Sequence, residues 1–180
     1  MAETTTARER VDFLLGLRAV RFFRPDPIPR EVLDDLLRVA RWSGSASNRQ
    51  PWEVIVIRDR ETLGALSRVE GYAKHLAGAT LGLALVMSGD PEREEHEIYD
   101  EGRLSERLML AADAHGIGSC IGWVINDGVA VAKDLLGIPA ERRLRTLLSF
   151  GYPDEAAQRA RPKPPQARKP LGEIVHEERY

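Results

Sequence analysis

Seven consecutive apolar residues, Leu81-Gly82-Leu83-Ala84-Leu85-Val86-Met87, constrain this chain more than any other feature. The run is far short of the roughly 20 residues of a membrane helix. It has no polar face to offer water, so it predicts a fully buried strand. Glu53 to Arg58 is β-branched and predicts a second strand. Arg143 to Phe150 contains a third, closed by Gly151-Tyr152-Pro153. Helical spacing fills the intervals. Thr6 to Leu17 carries a stripe of Val11, Leu14, Leu15 and Leu17. Pro29 suits the first position of a helix running to about Trp42, with Val32, Leu33, Leu36, Leu37 and Ala40 on one face. Asp59 caps a short helix through Leu66, and Tyr72 to Ala77 reads as one or two further helical turns. A long helix spans about Ile98 to His115 and is stopped by Gly116. Asn126 or Asp127 caps a helix to about Leu136. Strands separated by helices imply a mixed α+β domain with at least three core strands, and the tail is a candidate for a fourth.

The remaining segments are read from composition. Ser88 to His96 is charged and contains proline, so a mobile loop is expected. Gly118 to Ile125 is apolar but interrupted by glycine. Ala156 to Pro170, rich in Pro, Arg, Lys and Gln, is expected to be extended. Leu171 to His176 is apolar again and should dock somewhere, commonly on another subunit. A single domain over residues 1–180 is expected, because 180 residues with 43% hydrophobic content suffice for one core. A net charge of −2 gives no reason to expect nucleic acid or an anionic membrane. One cysteine, Cys120, and no signal-peptide core fit a cytoplasmic protein.

Candidate functional residues gather in few places. Ser43-Gly44-Ser45-Ala46-Ser47-Asn48-Arg49-Gln50-Pro51-Trp52 separates a helix from a strand and offers small polar groups on flexible backbone. Arg18, Arg21 and Arg24 follow the first helix. Guanidinium forks match phosphate oxygens, although solvated surface charge is the better account of arginines taken alone. Arg168 in the tail joins them only if the tail folds back. Lys74 is either an ordinary exposed lysine or a charge beside a cofactor ring. The four histidines show no ligand spacing, so no metal is expected. Cys120 reads as a small core residue. There is no nucleophile elbow, dinucleotide fingerprint or phosphate-loop lysine.

Several motifs then line up in order: Arg18-Ala19-Val20-Arg21-Phe22-Phe23, Ser45-Ala46-Ser47-Asn48-Arg49-Gln50-Pro51-Trp52 and Gly116-Ile117-Gly118-Ser119-Cys120. They are followed by Leu136-Gly137-Ile138-Pro139, Gly151-Tyr152-Pro153 and Arg168-Lys169-Pro170-Leu171. In this order, from about Leu17 to Tyr180, the chain resembles the nitroreductase family of FMN-dependent oxidoreductases.

The resemblance implies a three-layer α-β-α fold with a central, mainly antiparallel sheet. It further implies a homodimer with FMN at the seam and residues from about 154 to 180 embracing the partner subunit. Arg18, Arg21 and Arg168 would hold the phosphate and ribityl chain, with Ala19 beside them. Ser45 and Asn48 would approach the flavin from the partner subunit, and Ala46 and Gln50 would also belong to the cofactor-binding set. Lys74 would sit near the flavin N1–C2=O edge, and Cys120, Ile121, Gly122 and Trp123 would bring backbone amides towards N5. Hydride from NADH or NADPH would pass through the flavin to a small electron-poor aromatic acceptor by a ping-pong mechanism, with no catalytic nucleophile. Asp100 would lie near the cleft mouth.

Some positions depart from the family pattern. Ala19 stands for serine, Leu17 for the first arginine, Gly44 for proline, Ala46 for serine and Gly71 for asparagine. These either weaken FMN binding or are compensated by other groups. Rival readings are a dehalogenase or flavin-fragmenting enzyme of the same fold, a non-catalytic flavin-binding protein, and a ligand-free dimeric interaction domain.

Overall fold

A computed structural model of the chain describes residues 5–162 and 168–180. Four strands form one sheet: β1 (Trp52–Ile57), β2 (Leu81–Met87), β3 (Gly118–Trp123) and β4 (Arg143–Gly151), in the order β1-β2-β4-β3 and antiparallel throughout. Among the described residues six α-helices accompany them: α1 (Ala7–Gly16), α2 (Arg30–Arg41), α3 (Arg60–Leu66), α4 (Glu94–Ala114), α5 (Asp127–Leu136) and α6 (Glu155–Ala160).

Every residue of β2 is buried, and the pleat divides them between two layers. Leu81, Leu83 and Leu85 join Leu148 and Phe150 in a core with Leu33 and Leu36 of α2 and Leu104 and Leu108 of α4. Ala84 and Val86 face the other way, against Leu63 and Leu66 of α3 and Ala132 of α5. The sheet is therefore covered on both sides, and the three-layer expectation holds. A register shift between Leu85 and Val86 pairs Val86 with Leu144. That shift puts Leu144 in the second layer with Leu147, although an unbroken pleat would separate them.

Several expectations are corrected. The fourth strand is β3, from the glycine-interrupted segment, and no strand occurs among the described tail residues. Where a loop to His96 was expected, a 3-10 turn spans Pro91–Arg93 and α4 begins at Glu94. Asp90 accepts from the Glu92 N–H, and Glu94, Glu95 and Glu97 favour the positive end of the helix. Glu155–Ala160 is helical rather than extended because the Asp154 side chain caps it, accepting from Ala157 N–H at 3.0 Å. The rest of the expected extended stretch includes residues 163–167, which lie outside the described residues. Helix α1 forms, with a capping box between Thr6 and Glu9, but none of its residues is buried.

Candidate functional site

Strand β3 is an edge strand, and two segments dock on its open side. The Val20 N–H donates to the Ser119 carbonyl at 2.8 Å, and Ala19 pairs with Ser119 in parallel. At the other end, the Tyr72 N–H donates to the Trp123 carbonyl at 2.7 Å. Ser119 and Trp123 thus turn their carbonyls away from β4. Ile121 has the same parity, so its N–H and carbonyl face outwards in the gap between the two docked segments. Cys120 and Gly122 direct their backbone groups to β4. The Cys120 side chain is buried, as expected, and burial pushes its thiol pKa up.

Two cavities of about 600 Å³ each flank this crossing. One is lined by Arg21, Gly71, Tyr72, Lys74, His75 and Ile121. The other is lined by Arg18, Ala19 and Arg168 with Leu14, Leu15 and Glu106. Arg168 does come back to Arg18, while Arg21 faces the opposite cavity with Lys74. None of these four cations forms an ion pair among the described residues. Among the described residues, the Arg18 cavity sets two guanidinium groups against one carboxylate, Glu106, and no acid lines the Arg21 cavity. Arg18 is oriented by its Nη1, which donates to the Leu15 and Leu17 carbonyls at 2.7 and 2.8 Å.

The wall behind Ile121 is polar. His75 is 8% exposed, and its Nδ1 lies 2.6 Å from Ser149 Oγ. Burial, reinforced by the nearby Arg21 guanidinium, pushes its pKa down from 6.5 to about 4, so the ring is neutral at physiological pH. Nε2 has no partner among the described residues. Gly122 passes directly above: a Cβ there would sit 2.7 Å from Ala73 Cα and 3.0 Å from His75 Nε2. Gly71 adopts φ +149°, and a Cβ on it would collide with the Trp123 carbonyl.

The loop from Ser43 to Trp52 lines neither cationic cavity. Ser47, Asn48 and Gln50 all have φ near +50° (51°, 53° and 52°), a region that costs Ser and Gln roughly 1–2 kcal/mol each and that asparagine tolerates better. Ser45 Oγ accepts from the Gln50 N–H at 2.8 Å, and Asp100 accepts from the Ala46 N–H at 2.9 Å. Asp100 is buried beneath this loop and lines a separate cavity of about 380 Å³ with Ser47, Arg49 and Glu97. It stands away from the Arg21 cavity. Asn48, Arg49 and Gln50 point outwards and are exposed.

Sequence reasoning missed His75, Ser149 and Gln158. The side chain of Gln158 donates from Nε2 to the Ala19 carbonyl at 2.9 Å and accepts the Arg21 N–H at 3.3 Å. No local motif marks it, because its partners lie about 140 residues away (139 and 137).

The description "Nitroreductase family" matches residues 15–87. A protein of Archaeoglobus fulgidus with a provisional NADH dehydrogenase/NAD(P)H nitroreductase name is 31% identical over 144 residues, covering 77% of this chain and 82% of that protein. Nitroreductase NfnB of Mycolicibacterium smegmatis is 30% identical over 201 residues, covering 84% and 85%. Among solved structures, an FMN-dependent nitroreductase from Clostridium difficile superposes with a TM-score of 0.78 at 22% identity, covering 94% of this chain and 99% of that one.

Proposed function

Because this chain belongs to the nitroreductase family, we propose that it binds FMN and transfers electrons from NADH or NADPH to a small electron-poor aromatic acceptor such as a nitro compound or quinone. The observation that carries the reading is the set of four unpaired cations, among the described residues, on either side of one open strand edge. A solvated surface would scatter such charges. Here two line each of two concavities, and Ile121 lines the one that holds Arg21 and Lys74.

The residues fit FMN at both ends. Arg18 and Arg168 suit a phosphate monoester, since planar guanidinium forks can each place two donors on its oxygens. Arg21 and Lys74 favour negative charge at the ring end. The Ile121 N–H supplies a neutral donor to a ring acceptor. FMN, when bound, supplies the redox chemistry by taking a hydride from the nicotinamide and passing electrons to the acceptor. The protein's task is to hold, orient and shield. One open cavity serves donor and acceptor in turn, which gives ping-pong kinetics.

The Ser45–Gln50 loop faces away from both cavities of its own chain. Its strained, outward-pointing Asn48 and Gln50 serve the site of a second copy in a homodimer. Ser45 orders the loop through Gln50, and Ala46 ties it to Asp100.

The test is the visible spectrum of the protein with FMN, before and after anaerobic addition of NADH or NADPH, followed by a nitroaromatic. Bound flavin that bleaches and then recovers its colour supports the reading. A protein that ignores FMN sinks it, and bound flavin that no nicotinamide bleaches points to a non-catalytic flavin carrier.

A further inference from the structure

Arg18 and Arg21 are three residues apart yet serve different cavities. The chain between them must be held so that one guanidinium goes each way. The docking on β3 through Val20 does part of this. The other part falls to Gln158. Its amide donates to the Ala19 carbonyl at 2.9 Å and accepts the Arg21 N–H at 3.3 Å, so one half-buried side chain grips the peptides on both sides of Val20. Gln158 is itself fixed. Its own N–H donates to the Asp154 carbonyl at 2.9 Å, and the Asp154 N–H donates to the Phe22 carbonyl at 3.0 Å. The start of α6 is thus tied to the same segment at Ala19, Arg21 and Phe22.

We propose that Gln158 is a positioning residue that sets the spacing between the phosphate-binding and ring-binding ends of the site. The inference rests on the FMN reading above. A ligand reaching both ends profits from both sets of cations only if their separation is fixed in advance, because positional freedom of the anchors is lost on binding. Displacements of about 0.5 Å already matter in such constellations. A ligand that uses one end alone is indifferent to the spacing. FMN spans the site, whereas riboflavin has the ring and chain but no phosphate. The clamp therefore matters to FMN and hardly to riboflavin.

The experiment measures dissociation constants of FMN and riboflavin for the full-length wild-type protein and for Gln158→Leu, with thermal melts of both. The expected result is FMN affinity about tenfold weaker, the cost of ordering on binding an anchor that the clamp no longer fixes in advance, with riboflavin affinity changed less than about threefold. Gln158→Glu provides the second variant. It keeps the length and the acceptor for Arg21, but it donates to Ala19 only when protonated. Its FMN affinity, compared with wild type at the same pH, should recover as the pH is lowered from about 7 to about 4. Equal weakening of both ligands, unchanged FMN binding in Gln158→Leu, or no pH-dependent recovery in Gln158→Glu overturns the role of Gln158. If the wild-type protein binds FMN no better than riboflavin, or binds neither, the FMN reading itself fails.

Discussion

Gly122 and His75 meet where the sheet edge passes over the 3-10 turn Lys74–Gly78, and neither has slack. A methyl group on Gly122 would press on Ala73 Cα, which is backbone and cannot rotate aside. Gly122→Ala should destabilise the fold by about 1–3 kcal/mol, measured by urea unfolding. His75 gives a pH signature. Its pKa is about 4 folded and 6.5 as a free group, so the unfolded chain binds the extra proton between those values. The contribution is complete above pH 6.5 and is lost as pH falls towards 4, by an amount on the order of 3 kcal/mol. His75→Gln should flatten that part of the stability profile, and unfolding curves at pH 7 and pH 4.5 for both proteins would show it. Identical slopes would mean that the ring is protonated in the folded protein. The arginines separate by ligand: Arg18→Ala should weaken FMN about tenfold or more with little effect on riboflavin, whereas Arg21→Ala should weaken both. Equilibrium dialysis with each flavin tests the division, and the reverse pattern would exchange their assignments.

At the scale of elements, what the sequence made legible follows from how local the signal is. Strand β2 was readable because burial on both faces leaves an unbroken apolar run. Leu83→Ala, at its fully buried centre, should cost about 2–5 kcal/mol in a denaturant titration. Strand β3 was obscure as a strand because its glycines break the pattern. Those same glycines allow the close approach of the Ala73 turn and the Val20 segment. Helix α6 was missed because one side-chain cap on Asp154 outweighs the breaking composition that follows. Of the site, the cationic residues and the Ser45–Gln50 loop were legible as types in an order. Their division into two cavities was not, because the Gln158 clamp acts across a sequence separation no window can see. The positive φ angles of Ser47, Asn48 and Gln50 were hidden as well, since the strain is imposed by tertiary contacts such as Ala46 to Asp100 rather than by residue choice.

The whole molecule leaves apolar surface that a single chain does not cover. Leu14 and Leu15 of α1 are 56% and 63% exposed, Trp42 is 76% exposed, and Leu171 in the tail is 70% exposed. Lone exposed leucines need no explanation, but an entire helix with an apolar stripe and no buried residue among the described residues does. Leu14 and Leu15 also line the cavity that holds Arg18 and Arg168, so whatever covers α1 would close the end of the site proposed for the phosphate. The outward-facing Ser45–Gln50 loop follows α2 and Trp42 directly. On the dimeric reading proposed above, a second copy would satisfy both needs at once: it would bury the α1 stripe and bring Asn48 and Gln50 to the other chain's ring cavity. Assembly and cofactor retention should then be lost together. In the double variant Leu14→Glu/Leu15→Glu, each buried carboxylate would face strong desolvation. Sedimentation velocity should show the wild type as a dimer and the double variant as a monomer, and the visible flavin absorbance should disappear from the purified variant. A double variant that remains dimeric and yellow would place the seam elsewhere on the surface, and a monomer that keeps its flavin would show that one chain builds the site alone.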